Sequence, residues 1–131
     1  KYKIQNKVSI KKSVPNDQIQ NYYKSAKIFA LAYNTKVESL PIPVIEAMAA
    51  GLPVVIPSPE ESFSEGLEKI AMFTKNNEKS FTDNIQKLLN NEDLRKKYSN
   101  QSLAKSKEFD SEKIEKRESE IYSELIKKNQ K

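Results

Sequence analysis

The stretch VESLPIPVIEAMAAGLPVV, residues 37–55, combines the signals of a loop, a helix and a strand. Proline lacks an N–H and has a preset φ, so Pro41 and Pro43 place the start of a helix at this point. Gly51 stands where a left-handed residue commonly ends a helix, which predicts that the helix ends at Ala50. The β-branched residues after the glycine favour a short buried strand.

Apolar runs on both sides of this stretch predict strands that alternate with helices. Such alternation is typical of βαβ units, so we predict an α/β fold with a Rossmann-like parallel sheet and flanking helices. A first helix, capped by Asn16 or Asp17, would carry Ile19, Tyr22, Tyr23 and Ala26 on one face. The predicted strands are 7–10, 28–32, 53–56 and 70–73, and the later predicted helices are 78–90, 94–109 and 111–128.

Two glutamates flank the predicted helix start. Glu38 lies in the loop before it, and Glu46 lies about one turn inside. Free N–H groups and the helix dipole favour an anion at such a point, and parallel α/β sheets bind ligands at this edge. The spacing therefore allows two carboxylates to hold hydroxyls while the backbone holds phosphate, an arrangement that suits a sugar nucleotide. Alternatively, Glu46 only complements the dipole, worth about 0.3–1 kcal/mol, and Glu38 is an ordinary loop acid.

The composition excludes several chemistries and leaves others open. The 131 residues include no cysteine and no histidine, which excludes a Ser-His-Asp triad, thiolate chemistry and most zinc sites within this chain. The lack of cysteine fits a cytoplasmic protein. Of the net charge of +5, residues 1–36 contribute +7. This basic segment is either a solvated surface or a contact for phosphate, nucleic acid or an anionic membrane.

The central stretch resembles the signature of retaining nucleotide-sugar glycosyltransferases, in particular glycosyltransferase family 4. That signature is Glu, seven residues, Glu, Ala-Met-Ala, a small residue, Gly, a spacer and Pro-Val-Val, and Glu38 and Glu46 stand at its two acidic positions. The preceding VPNDQIQNYYKSAKIFALA is similar to the family's helix that ends in Tyr-x-x-Ala and the strand after it. The resemblance covers most of residues 7–110.

The resemblance implies a fold and a set of roles. The fold would be GT-B, and this chain would be the later part of its C-terminal, donor-binding domain. Glu46 would bind the ribose hydroxyls, and Glu38 would approach the donor sugar at the reacting centre. The loop around Val14 would lie near the base. Backbone groups from Ser39 through Leu40 and Pro41 to Ile42 would meet the sugar and the diphosphate.

The resemblance also implies which partners and cofactors to expect. The substrate would be a nucleotide-diphosphate sugar, and the acceptor would be a polysaccharide, lipid or similar molecule held by an N-terminal domain outside this chain. We expect no metal and no other cofactor, since the family usually works without them. We expect no nucleic acid as a partner, and the basic segment permits peripheral contact at the inner face of a membrane.

This chain departs from the family pattern in three places. Pro41 stands where glycine is frequent, and SPEESFSEG replaces a frequent Gly-Gly loop. The Arg and Lys that usually clamp the diphosphate would precede this chain. Two alternatives therefore stay open: a non-catalytic α/β binding module derived from the fold, and a basic nucleic-acid-binding domain that uses residues 1–27.

The organisation that we predict is a single, N-terminally truncated Rossmann-like domain over residues 1–131, with C-terminal helices over 92–128. A sheet without its first strands would expose an open edge, which favours self-association. Such a fragment would be inactive alone. The last helix carries an apolar stripe that includes Ile114, Ile121 and Leu125, and we interpret it as a helix that docks on a domain surface.

Overall fold

The structure, a computed structural model, describes residues 4–35, 40–58 and 70–129. Short 3₁₀ turns at Gln5–Lys7 and Lys107–Phe109 accompany the helices. The elements in chain order are α1 Asn16–Ser25, β1 Phe29–Ala30, α2 Ile42–Ala49, β2 Val54–Pro57, β3 Ala71–Thr74, α3 Glu78–Asn90, α4 Glu92–Ser106 and α5 Ser111–Asn129.

The described strands form a three-stranded parallel sheet in the order β1-β2-β3. Phe29 lies opposite Val54, and Val54 lies opposite Ala71, so β2 is the central strand of the three. Helices flank the sheet, with α2 and α3 both in contact with β2. The α/β class with a Rossmann-like parallel sheet, predicted from the alternation of elements, is confirmed.

Strand β2 is inaccessible to solvent along its whole length. Successive side chains of a strand point to opposite faces, so full burial of every residue means that both faces are covered. Val54 and Ile56 join the main core cluster, whereas Val55 points to the other face and is equally buried. The buried members of the core cluster are Val44, Ala47, Met48, Leu52, Val54, Ile56, Ile70 and Ala71.

Helix α2 begins where the two prolines predict. Pro41 is the N-cap residue with extended backbone angles, and Pro43 occupies the first turn. The helix buries Val44, Ala47 and Met48, and the spacing of these residues places them on one face. The opposite face, which includes Glu46, is therefore left toward solvent.

Gly51 ends α2 as predicted, with a positive φ of 75°. Its N–H donates to the Met48 carbonyl at 2.9 Å, and the Leu52 N–H donates to the Ala47 carbonyl at 3.0 Å. These bonds satisfy carbonyls at the helix end and turn the chain directly into β2. The Gly51 carbonyl in turn accepts a hydrogen bond from the Ser99 hydroxyl of α4 at 2.6 Å, which ties this turn to the later helices.

Helices α3 and α4 begin at asparagine caps. The Asn77 side chain accepts from the Ser80 N–H at 2.9 Å, and the Asn91 side chain accepts from the Leu94 N–H at 2.9 Å. The predicted helix 78–90 is confirmed. Helix α4, predicted to begin at residue 94, starts two residues earlier, since the Asn91 cap sets its first residue at Glu92.

The predicted strand 7–10 is wrong. A 3₁₀ turn occupies Gln5–Lys7, and within the described part of the chain no strand pairs with the residues after it. Val8 is 53% exposed and Ile10 is 85% exposed, so the apolar pair that suggested a strand is not buried. A strand forms only beside a partner, and an apolar pattern alone does not supply one.

Helix α1 also differs from the prediction in detail. Its N-cap residue is Pro15, and neither predicted cap makes a side-chain bond to the helix start. Of the four residues assigned to one face, Ile19 and Tyr23 are partly buried, whereas Tyr22 and Ala26 are exposed. The face of α1 that packs against the rest of the protein is therefore narrower than the sequence predicts.

Helix α5 is not docked on the described part of this chain. It has no buried residue and chiefly contacts the 3₁₀ turn before it. Docking on another domain stays a prediction. The apolar residues of its stripe remain 41–64% exposed: Ile114, Ile121, Tyr122, Leu125 and Ile126. None of the helices in the described ranges is long and apolar enough to cross a membrane.

Strand β1 is one edge of the described sheet, and β3 is the other. Strand β1 pairs with β2, and no described strand lies on its other side.

The predicted self-association through an open edge therefore stays a prediction, which sedimentation equilibrium checks: a mass above that of the monomer is expected, and a monomer mass at every concentration would contradict it. The assignment of residues 1–131 to one domain likewise stays a prediction.

Substitution of Gly51 by alanine should lower the free energy of unfolding by about 1–2 kcal/mol, because a left-handed backbone is unfavourable for residues with a Cβ. A Cβ at this position would meet the Ser99 Oγ at 3.8 Å, which is ordinary contact, so the loss is one of backbone conformation. Urea denaturation measures it. Gly51→Asn is the matched control, because asparagine tolerates this conformation, and equal losses for both variants would contradict the explanation.

Candidate functional site

A tyrosine and a glutamate from two different helices meet on the surface of the protein. The Tyr23 hydroxyl of α1 donates a hydrogen bond to Oε2 of Glu46 in α2, with an oxygen–oxygen distance of 2.9 Å. The same hydroxyl lies 3.5 Å from the carbonyl oxygen of Pro43, in the first turn of α2. One phenol group therefore connects α1 to both the start and the middle of α2.

Contacts with the sheet and the core position Tyr23 independently of Glu46. The Tyr23 ring packs against the Phe29 ring of β1, with centroids 5.9 Å apart and planes inclined at 55°. Both rings pack against the buried core cluster. Since β1 pairs with β2, the position of the phenol is set by the sheet, and the glutamate side chain is the more adaptable partner.

Both residues line an open groove of about 600 Å³ between α1 and α2, here called the α1–α2 groove. Polar side chains dominate its α1 wall, and small residues from the end of α2 form the opposite side. Within it, the Lys24 ammonium donates to the Gln20 side-chain oxygen at 3.4 Å. The lining residues are Asn16, Ile19, Gln20, Tyr23, Lys24, Glu46, Ala49 and Ala50.

The environment keeps the phenol protonated. Partial burial, the hydrogen bond to Glu46 and the negative charge of that residue, in this order of importance, raise the pKa of Tyr23 from 10.0 to about 12. A phenol with so high a pKa is a hydrogen-bond donor throughout the physiological range. Its partner carboxylate therefore keeps one oxygen engaged with Tyr23.

Glu46 is too far along α2 to serve mainly the helix dipole. The helix begins at Ile42, so Glu46 is its fifth residue and lies past the first turn, which contains no acidic residue. The favourable effect of a negative charge falls off within that first turn. The alternative that Glu46 only complements the helix dipole is thus weakened. What distinguishes Glu46 is its contact with Tyr23 and its place in the open groove.

The start of α2 is a poorer anion site than its sequence position suggests. Pro41 and Pro43 have no N–H, and the Val44 N–H donates to the Pro41 carbonyl at 2.9 Å. Among residues 41–44, this leaves the N–H of Ile42 as the remaining backbone donor. A diphosphate at this point would need cationic side chains in addition to the helix start.

The structure brings one of the predicted site residues into the groove and places three others at or just before the start of α2, outside the groove lining. Glu46 lies in the α1–α2 groove. Leu40 packs against the core cluster, so its side chain serves packing and only its backbone is left for a ligand. Pro41 is partly buried and Ile42 is 71% exposed at the start of α2.

The remaining predicted residues are not joined to this groove. Val14 is partly buried in the segment before α1, and it is not among the residues that line the groove. Glu38 and Ser39 lie outside the described residues. The roles of all these residues in donor binding or catalysis stay predictions.

The sequence pattern places Tyr23 on a packing face and does not reveal its contact with Glu46. The two residues are 23 positions apart, and only the packing of α1 against β1 and α2 brings them together. The sequence signal for such a role is the Tyr-x-x-Ala motif formed by residues 23–26, which is part of the resemblance described above.

In the ranges that the structure describes, no group of three or more Asp, Glu, His or Cys side chains is placed to hold a metal ion. The expectation that no metal takes part stays a prediction.

A family model described as "Glycosyl transferases group 1" matches residues 1–105, which is most of the chain. The chain therefore belongs to this family of glycosyl transferases.

A protein of Haemophilus influenzae named "Uncharacterized glycosyltransferase" is 35% identical to the chain over 101 residues. The match covers 75% of this chain and 28% of the relative, so the chain spans little more than a quarter of that relative's length. No solved structure matches the chain.

The raised pKa of Tyr23 gives a direct test of its contact with Glu46. The folded protein holds the phenol protonated, so the stability from this contact is fully present below pH 10 and is lost as the pH rises toward 12. The difference in phenolate absorbance between the wild type and Tyr23→Phe should titrate near pH 12.

The same difference measured in a Glu46→Ala background should titrate at a lower pH, yet above 10.0, because burial, the larger cause, remains. A midpoint unchanged by Glu46→Ala would show that the two side chains are not in contact in solution.

Proposed function

We propose that this chain is the donor-binding part of a retaining glycosyltransferase of family 4 with the GT-B fold. It would bind a nucleotide-diphosphate sugar, and the full protein would transfer the sugar to a polysaccharide, lipid or similar acceptor. The observation that carries the proposal is the position of Glu46, an acid of the family signature, in an open groove on a chain of the glycosyl transferases group 1 family.

The ribose is the part of the donor that the groove suits best. A carboxylate accepts hydrogen bonds and donates none, so it matches the two adjacent hydroxyls of a ribose. Glu46 offers such a carboxylate next to α1, and the loop that carries Val14 leads into that helix. We place the ribose against Glu46 and the base toward the loop around Val14.

The diphosphate needs positive charge beyond the helix start. Pro41 and Pro43 remove two backbone donors, and Val44 uses a third internally. Bonds from the backbone of residues 39–42 would therefore orient the diphosphate, while cationic side chains outside this chain would neutralise most of its charge. Such charge neutralisation stabilises the leaving diphosphate as the glycosidic bond breaks, without requiring a metal ion.

Glu38 would lie near the transferred sugar, one loop before the diphosphate. The acceptor hydroxyl would approach from a domain outside this chain, where the exposed stripe of α5 would also dock. We place this reaction in the cytoplasm, with peripheral contact of the basic leading segment at the inner membrane face where the acceptor is a lipid. Nucleic acid is not part of this proposal.

The test is nucleotide binding measured by saturation-transfer NMR with UDP, GDP and ADP and their sugars. We expect one nucleotide to bind selectively and Glu46→Ala to weaken its binding about 10- to 100-fold, since a hydrogen bond to a charged group contributes about 1.5–3 kcal/mol.

Glu115→Ala is the matched control, because Glu115 is likewise an exposed acid, on α5 and outside the groove lining. Equal binding by both variants would contradict a ribose site at Glu46. Absence of nucleotide binding by the intact protein would contradict the proposed function as a whole.

A further inference from the structure

The Tyr23–Glu46 contact separates the two oxygens of one carboxylate. Oε2 accepts the Tyr23 hydroxyl at 2.9 Å, which leaves Oε1 as the oxygen that Tyr23 does not engage. Both residues line the α1–α2 groove, so the carboxylate is held at the wall of an open space. A carboxylate on a free glutamate side chain would instead rotate among several rotamers.

The Tyr23 ring is held more firmly than a free glutamate side chain would be. The ring of Tyr23 contacts Phe29 of β1 and the buried core cluster, so its hydroxyl has a defined position relative to the sheet. The second contact of the hydroxyl, with the Pro43 carbonyl at 3.5 Å, relates that position to the start of α2. Tyr23 thus links the carboxylate to the part of α2 where the diphosphate would lie.

We propose that Tyr23 is a positioning residue for nucleotide binding, which holds the Glu46 carboxylate so that its other oxygen receives the ribose hydroxyls. This inference rests on the proposed function and gives Tyr23 a role that the proposed function does not assign to it. The hydrogen bond reduces the conformational freedom that Glu46 loses when the ribose binds, and such preorganisation increases affinity.

A purely structural role of Tyr23 would have a different effect on ligand binding. If the hydrogen bond only tethered α1 to α2, its loss would lower stability and affect every ligand of the groove alike. A positioning role concerns the ribose hydroxyls alone. The two roles are therefore distinguished by a nucleotide that lacks those hydroxyls.

The experiment compares the affinity of the intact protein for its preferred nucleoside diphosphate and for the 2′,3′-dideoxy form of the same nucleotide. Tyr23→Phe keeps the ring and its packing on Phe29 and removes only the hydroxyl. We expect this variant to bind the ribonucleotide about fivefold more weakly, because the released Glu46 side chain must then be ordered on binding, and to bind the dideoxy form with unchanged affinity.

Tyr22→Phe is the matched control, because Tyr22 is the adjacent tyrosine and is 48% exposed. It should change neither affinity. In a Glu46→Ala background, Tyr23→Phe should have less than a twofold effect, because a positioning residue acts through the residue it positions.

Each outcome has one meaning. If Glu46→Ala lowers both affinities equally, the ribose assignment of the proposed function fails. If Glu46→Ala removes the preference for ribose and Tyr23→Phe does not reduce it, the proposed function stands and the positioning role is overturned. An equal loss of both nucleotides in Tyr23→Phe, or an undiminished effect in the Glu46→Ala background, would also overturn it.

Discussion

The complete burial of β2 is the constraint on which the rest of the structure depends. A strand covered on both faces requires helices on both sides, and α2 is held against it by the turn at Gly51. Burial of Val44, Ala47 and Met48 on that side then fixes the rotation of α2 about its axis. Glu46 faces the groove because the apolar face of the same helix is committed to the sheet.

The same constraint acts on the other wall of the groove through β1. That strand pairs with β2 through only two residues, and one of them, Phe29, carries the ring on which Tyr23 packs. The chemistry of the groove is therefore coupled to the core by a short series of contacts, from β2 to Phe29 to Tyr23 to Glu46. Substitutions at the core end of this series should alter the geometry of the carboxylate without touching a ligand.

Local patterns in the sequence predict the elements that local chemistry controls. The prolines and Gly51 bound α2 because their backbone preferences act wherever they occur, and the predicted helix 78–90 begins at the Asn77 cap. The strand at 7–10 fails because Val8 and Ile10 have an apolar pattern without a neighbouring strand to bury it.

The candidate site likewise has one part that local sequence predicts and another that depends on how the chain packs. The spacing of the acids points to Glu46, since the signature is local. The role of Tyr23 is not readable, because a contact between residues 23 positions apart depends on how two helices pack. The donor-poor start of α2 is only partly readable from the sequence: Pro41 and Pro43 each lack an N–H, but the bond from the Val44 N–H to the Pro41 carbonyl is seen only in the structure.

The most direct test of this account is a crystal structure of the intact protein with its preferred nucleoside diphosphate bound. We predict a ribose hydroxyl within hydrogen-bonding distance of Glu46 Oε1 while the Tyr23 hydroxyl remains on Oε2. A nucleotide bound with its ribose away from Glu46, or one that displaces Tyr23 from the carboxylate, would contradict it.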